Sequence, residues 1–142
     1  MQLKMKQNRI PFNEVQKALY EVLSKGQNTC EVYDSIAVED LPLPYIWLGA
    51  FHGNPTFHNK NHAIHMISQQ IDIWSDGKGK KEVNTILDEV STLLTNYALP
   101  LNNYRQLDVN IASYQAIGER YEDKTSAYHG ILVVEYTIEE ID

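Results

Sequence analysis

Between residues 63 and 97 the alternation of apolar and polar positions changes period once, and the rest of the chain is arranged around that change. The run AIHMISQQIDIWS puts Ile67, Ile71 and Ile73 on one face, interrupted by Gln69, and Ser68, Gln70 and Asp72 on the other. A period of two predicts a half-buried strand. Asp76, Gly77, Lys78 and Gly79 break the pattern, because glycine admits the backbone angles that end a strand. From Lys80 onward Val83, Ile86, Leu87, Val90, Leu93, Leu94 and Tyr97 recur at three- and four-residue steps, the single apolar stripe of a helix. Burying each of these large side chains contributes roughly 1.5–3 kcal/mol, so the helix is expected to lie on the sheet that its strand belongs to.

Upstream, Val15, Ala18, Leu19, Val22 and Leu23 predict a first helix over 13–25, with Asn13 as N-cap, Gln16 at capping-box spacing and Gly26 at the C-terminal close. Residues 31–38 predict a short strand with imperfect alternation. The run LPLP at 41–44 is extended, since proline restricts its predecessor and has no N–H to donate. YIWLGAF at 45–51 predicts a strand with Ile46, Leu48 and Ala50 on one face and Tyr45, Trp47 and Phe51 on the other. HGNPTFHNKNH at 52–62 reads as a loop from its Gly, Pro, Asn and His content.

Pro100 stops the second helix. Residues 106–118 then alternate, with Leu107, Val109, Ile111 and Ile117 against Asp108, Asn110 and Tyr114. Residues 128–139 place Leu132, Val134, Tyr136 and Ile138 inward and Glu135, Thr137 and Glu139 outward. The charged turn ERYEDKTS between the two runs makes them an antiparallel hairpin. Residues 1–12, with Lys4, Lys6 and Arg9 and no steady periodicity, read as a flexible arm ahead of a single domain over 13–142. The expected architecture is α+β: a mainly antiparallel sheet of about four to five strands with two helices packed on one face.

Composition acts by exclusion. At 142 residues, 43% hydrophobic and 22% charged, the chain suits one globular domain. A net charge of −7 argues against general nucleic-acid binding, which needs basic surface to displace counterions. The single cysteine rules out a disulfide within the chain and suits a reducing compartment. No apolar run approaches the roughly 20 residues of a membrane helix, and no signal-peptide core follows the basic start. The protein is expected to be made and kept inside a cell, or assembled there into something that later leaves.

Candidate chemistry is thin. His52, His58, His62 and His65 match no metal-ligand spacing, and a solvated polar loop accounts for them better than a metal site. Cys30 follows a helix C-terminus and precedes Glu31, the wrong electrostatic setting for a thiolate, so a packed thiol is expected. Ser75 in WSDG lacks the glycines of a nucleophile elbow, and GKGKK lacks the spacing of a phosphate loop. The acid pairs Glu122-Asp123 and Glu139-Glu140 read as solvated charge. No catalytic constellation emerges. Two surface features stand out instead. Lys78, Lys80 and Lys81 crowd the start of the second helix, where the macrodipole disfavours each cation by about a few tenths of a kcal/mol. They serve either solubility or contact with an acidic partner. The aromatic face of Tyr45, Trp47 and Phe51 is covered either by the chain's own loops or by a neighbouring subunit.

Four segments, PYIWLG (44–49), QIDIWS (70–75), KKEVNTILDEVSTLL (80–94) and GILVVEYTIEE (130–140), carry a resemblance in their order and spacing. Together they resemble the tail completion, or tail-to-head joining, proteins of long-tailed bacteriophages, a family similar in role and fold to the phage lambda tail terminator. The resemblance runs from residue 13 onward and leaves out the basic arm and the histidine-rich loop. It implies a structural protein of a phage or prophage, with no catalysis and no cofactor. Its subunit would form a hexameric ring that caps the tail tube, stops tube polymerisation and docks on the head connector. The implied partners are further copies of itself, the tail tube protein and the connector protein, without membrane or specific nucleic-acid binding. Assembly would take place in the host bacterial cytoplasm and the protein would reside in the virion at the head–tail junction. Candidate interface residues are Lys78, Lys80, Lys81, Trp47 and Phe51, together with Phe57, His58 and Lys60 in the loop expected to reach a partner. The alternatives are another neck component, a connector or stopper, and a small metal-binding enzyme using the histidines between residues 52 and 65.

Overall fold

The computed structural model describes residues 9–34, 41–56, 63–76, 78–120 and 125–141, and the backbone alone of 57–59 and 62. The elements run α1 (Phe12–Gly26), β1 (Glu31–Tyr33), β2 (Tyr45–Asn59), β3 (His62–Asp76), α2 (Lys80–Asn96), β4 (Tyr104–Arg120) and β5 (Ser126–Glu140). That is the predicted succession of helices and strands. The five strands form one sheet in the order β1-β2-β3-β5-β4. β1 lies parallel to β2 and every other pairing is antiparallel, so the α+β expectation of a mainly antiparallel sheet holds. The core sits between the helices and one sheet face. Val15, Leu19 and Leu23 of α1 and Val83, Ile86, Val90 and Leu94 of α2 pack on Ile46, Ile67, Ile71, Ile73, Leu132, Val134, Tyr136 and Ile138.

The helix ends differ from the sequence reading. α1 begins at Phe12 with Pro11 in the N-cap position and no side-chain cap, so Asn13 lies inside the helix. Gln16 reaches Asp34 at 3.2 Å instead of closing a capping box. Gly26 is the last helical residue, and its small size is what matters there: a Cβ would meet Leu93 of α2 at 2.5 Å. Gln27 closes the helix through its side chain, donating to the carbonyls of Leu23 (2.9 Å) and Cys30 (2.8 Å) and accepting from the Cys30 N–H (2.8 Å). Tyr97 falls outside α2, is 63% exposed and is not part of the buried stripe.

The largest correction concerns residues 52–62. Their turn-rich composition predicted a loop, yet β2 runs through to Asn59 and pairs with β3 out to Asn59 opposite His62. Cross-strand pairing absorbs Pro55 at an irregular position, since the register shifts between Pro55 and His58. Proline is tolerated in such places because no ladder bond is required of its missing N–H. Lys60 and Asn61 lie outside the described residues.

Bulges then reassign faces. Leu48 opposes Ile71 but Phe51 opposes Gln69, so one extra residue enters β2 at Gly49 and Ala50. An inserted residue moves everything after it to the opposite face. Phe51 therefore leaves the face of Tyr45 and Trp47 and turns to the helix side, where it stacks on Phe12 with ring centroids 4.8 Å apart. The expected aromatic face loses this member. Gln69, the residue that interrupts the buried isoleucines, is tied to the same bulge: its Nε2 donates to the carbonyls of Gly49 (3.2 Å), Ala50 (3.3 Å) and Gln70 (2.6 Å). β4 carries two bulges, at Leu107 and Ala112. They place Tyr114 opposite Leu132 and Ile117 opposite His129, reversing the predicted faces of both. All four irregularities lie in β2 and β4, the long strands toward the sheet edges, whereas the pairing of β3 with β5 is regular.

Glu139 and Glu140 are not solvated charge. They are 3% and 5% exposed. Glu139 is paired by Arg105. Glu140 accepts from the Arg9 backbone N–H at 2.9 Å and from its Nε at 3.3 Å, while the guanidinium lies over the Tyr104 ring at 5.2 Å. Buried carboxylates need such partners. Residues 1–8 and the pair Glu122-Asp123 lie outside the described residues.

Candidate functional site

The sheet face away from the helices has no second layer of secondary structure among the described residues. At the end near the β3–α2 turn it carries Tyr45 and Trp47 from β2, Gln70, Asp72 and Trp74 from β3, His129 from β5 and Glu119 from β4. These side chains meet because Trp47 opposes Asp72, Trp74 opposes His129, and Glu119 lies two positions along β4 from Ile117, the residue opposite His129. Asp72 is 2% exposed and its Oδ1 lies 2.7 Å from His129 Nε2. Gln70 Nε2 donates to both Asp72 oxygens, at 3.1 and 3.3 Å. Glu119 Oε1 lies 3.3 Å from the other imidazole nitrogen, and the Trp74 ring stacks on the imidazole at 3.9 Å. The result is a polar bridge across β3, β5 and β4. Gly49 makes room for it, since a Cβ there would meet Asp72 Oδ2 at 2.5 Å. Sequence reading missed this bridge. The available signal was Asp72, a lone carboxylate between two isoleucines.

Trp47 is half-buried on this face and its Nε1 has no hydrogen-bond partner among the described residues. Burial, together with Asp72 and then Tyr33, pushes the Tyr45 phenol up from its usual value. Lys78, Lys80 and Lys81 are exposed where β3 hands over to α2. The strand end is fixed to the helix start by Ser75 Oγ, which donates to Glu82 at 2.6 Å, and the Lys78 N–H donates to Asp76 Oδ1 at 2.9 Å. At the opposite end of the sheet the β2–β3 hairpin runs past β5: β3 pairs with β5 only from Ile64 onward, while His58 pairs with Ala63 and Asn59 with His62. Phe57 and His58 thus belong to β2, not to a loop.

The two described histidines of the alternative metal reading are not brought together. His52 opposes Ser68 on the uncovered face and is exposed, with Asn54 Nδ2 at 3.2 Å from its Nε2. His65 points to the helix side, is 5% exposed and packs edge-on against Tyr104. Among the described residues no group of three or more potential ligands is gathered closely enough to hold a metal ion. Cys30 is buried, and desolvation, then Glu82 and Glu89, push its thiol up to about 12. The native protein should therefore leave a disulfide reagent unconsumed at pH 8, with one thiol appearing on denaturation; rapid reaction before unfolding would contradict this placement.

The profile of the family described as "Tail completion protein gp17" matches residues 17–139. Among curated proteins, none matches the sequence. A chain from a solved structure titled "Virion of native gene transfer agent (GTA) particle" is similar in fold, with a TM-score of 0.64 at 20% identity. The likeness covers 89% of this chain and 92% of that one.

Proposed function

Because this chain belongs to the tail completion protein gp17 family, and so has a structural role in a phage tail, we propose that it closes the finished tail tube as a ring of copies and joins that end to the head connector. The observation that supports a ring is the pair of unequal open edges on the sheet. β4 is an edge strand of 17 residues. On the other side β1 covers only Tyr45 to Trp47 of β2, so the remainder of that strand has no outer neighbour in the sheet among the described residues. A ring of identical subunits needs two different surfaces per copy that meet head to tail and close. The bulges in these two strands suit that arrangement, since they oppose indiscriminate edge-to-edge growth while leaving a specific contact available. Six copies is the number proposed.

In this reading the end of the β2–β3 hairpin, with Phe57, His58 and Lys60, contacts tube or connector, and Trp47 contributes to a contact on the uncovered face. Phe51 is withdrawn from the interface set, because it is part of the wall against Phe12. Replacing residues 58–63 by a two-residue turn leaves the β3–β5 pairing whole, so the subunit should fold while tails of irregular length accumulate unjoined to heads. Electron microscopy of particles from cells expressing the shortened chain measures both. Normal tail length with normal joining would remove the hairpin from the mechanism. Absence of density for this chain at the junction of capsid and tail in the intact virion would overturn the function itself.

A further inference from the structure

The lysine cluster and the uncovered sheet face are complementary in a way that a ring could use. Lys78, Lys80 and Lys81 form no ion pair among the described residues, although the helix dipole at the start of α2 opposes all three. A basic cluster of this kind, exposed in a chain of net charge −7, is placed to attract an anion outside the subunit. The other end of the uncovered face offers one. A groove of about 300 Å³ lies there between β3, β5 and β4, lined by Met66, Asp108, Val109, Asn110, Glu135 and Thr137. Its two carboxylates likewise form no ion pair among the described residues, and no cation lines it. The bulge at Leu107 creates the site: it turns Asp108 out opposite Thr137, next to Asn110 opposite Glu135.

The two patches cannot meet within one subunit. Met66 and Asp76 stand ten residues apart on β3, about 33 Å at strand spacing, and the lysines belong to the helix layer while the groove opens on the face away from it. Patches that are distant, different and opposite in charge are what a head-to-tail contact requires, because each copy can then use both at once.

We propose that the lysine cluster at the start of α2 docks in the Asp108–Glu135 groove of a second copy of this chain, forming the repeating contact of the ring. The inference rests on the ring reading given above. Two charge-reversed proteins test it. One carries Lys80→Glu and Lys81→Glu; the other carries Asp108→Lys and Glu135→Lys. Lys80, Lys81 and Asp108 are exposed and Glu135 is half-buried in the groove wall, so each protein should melt within a few degrees of wild type. In analytical ultracentrifugation and native mass spectrometry the wild type forms rings, and each variant alone needs about tenfold or more protein to do so. An equal mixture recovers assembly, because reversed lysines meet reversed grooves and native lysines meet native grooves in alternation around a ring of even number. Raising the salt weakens the wild-type ring. Rings that ignore both reversals, or a mixture that assembles no better than either variant alone, would overturn this contact and leave the ring reading standing. Such a result would point to an acidic surface on another protein as the partner of the lysines. A wild-type chain that stays monomeric at every concentration even with finished tail tubes present would overturn the contact and the ring together.

Discussion

Replacing His129 with alanine should lower the unfolding free energy by about 3 kcal/mol, a fall of roughly 10 °C in Tm for a chain of this size. The imidazole holds the 2.7 Å contact with Asp72, whose carboxylate is 2% exposed. Its loss leaves that carboxylate relying on Gln70 Nε2 and removes the ring on which Trp74 stacks. An uncompensated buried acid is costly chiefly because it has given up water without a replacement. The distinguishing result lies in the double variant. Asp72→Ala with His129→Ala removes both halves of the pair, and its cost should be less than the sum of the two single losses by about 1–3 kcal/mol. Strict additivity in thermal or urea denaturation would show that the bridge across β3, β5 and β4 contributes no coupling.

That bridge also marks the limit of what the sequence disclosed. Elements defined by a long, steady period were legible: α2 begins at Lys80 as the helical stripe implied, and β5 turns Leu132, Val134, Tyr136 and Ile138 into the core as alternation implied. Single-residue insertions were not legible, because the apolar pattern of a strand does not say where its partner skips a residue. The bulge at Gly49 and Ala50 carried Phe51 from one face to the other, and the bulge at Ala112 did the same for Tyr114 and Ile117. Gln69 was the nearest thing to a warning, a polar side chain on a buried face whose amide serves the carbonyls that the bulge frees. Composition misled at 52–62 for a related reason. Turn-forming residues describe local preference, and pairing with β3 outweighs it over most of that stretch. The buried acids Glu139 and Glu140 were misread because their partners, Arg105 and Arg9, lie 34 and 131 residues away in the chain. For the candidate interface, the sequence pointed to the lysines directly. The groove proposed to receive them became visible only once the β4 bulge had set Asp108 beside the β5 face.

The core makes a prediction of two signs at one position. Tyr136 is fully buried, and its hydroxyl has no hydrogen-bond partner among the described residues. Truncation to alanine empties the space of a whole ring between the helices and the centre of the sheet, which should cost about 3–5 kcal/mol. Removing the oxygen alone should do the opposite. A buried hydroxyl without a partner carries a desolvation penalty of about 1–3 kcal/mol, so Tyr136→Phe should raise Tm by several degrees where a hydrogen-bonded tyrosine would have lowered it. Alkali gives a second reading of the same group. Burial pushes the Tyr136 phenol well above its usual value. As pH rises through about 10, the unfolded chain sheds this proton while the folded chain keeps it, and stability falls with further increase. The Tyr136→Phe chain has no such proton, so its lead over wild type should widen above a pH of about 10. A Tyr136→Phe protein less stable than wild type at neutral pH, with a gap that does not move in alkali, would show that the hydroxyl has found a partner and that the core is wetter there than its packing indicates.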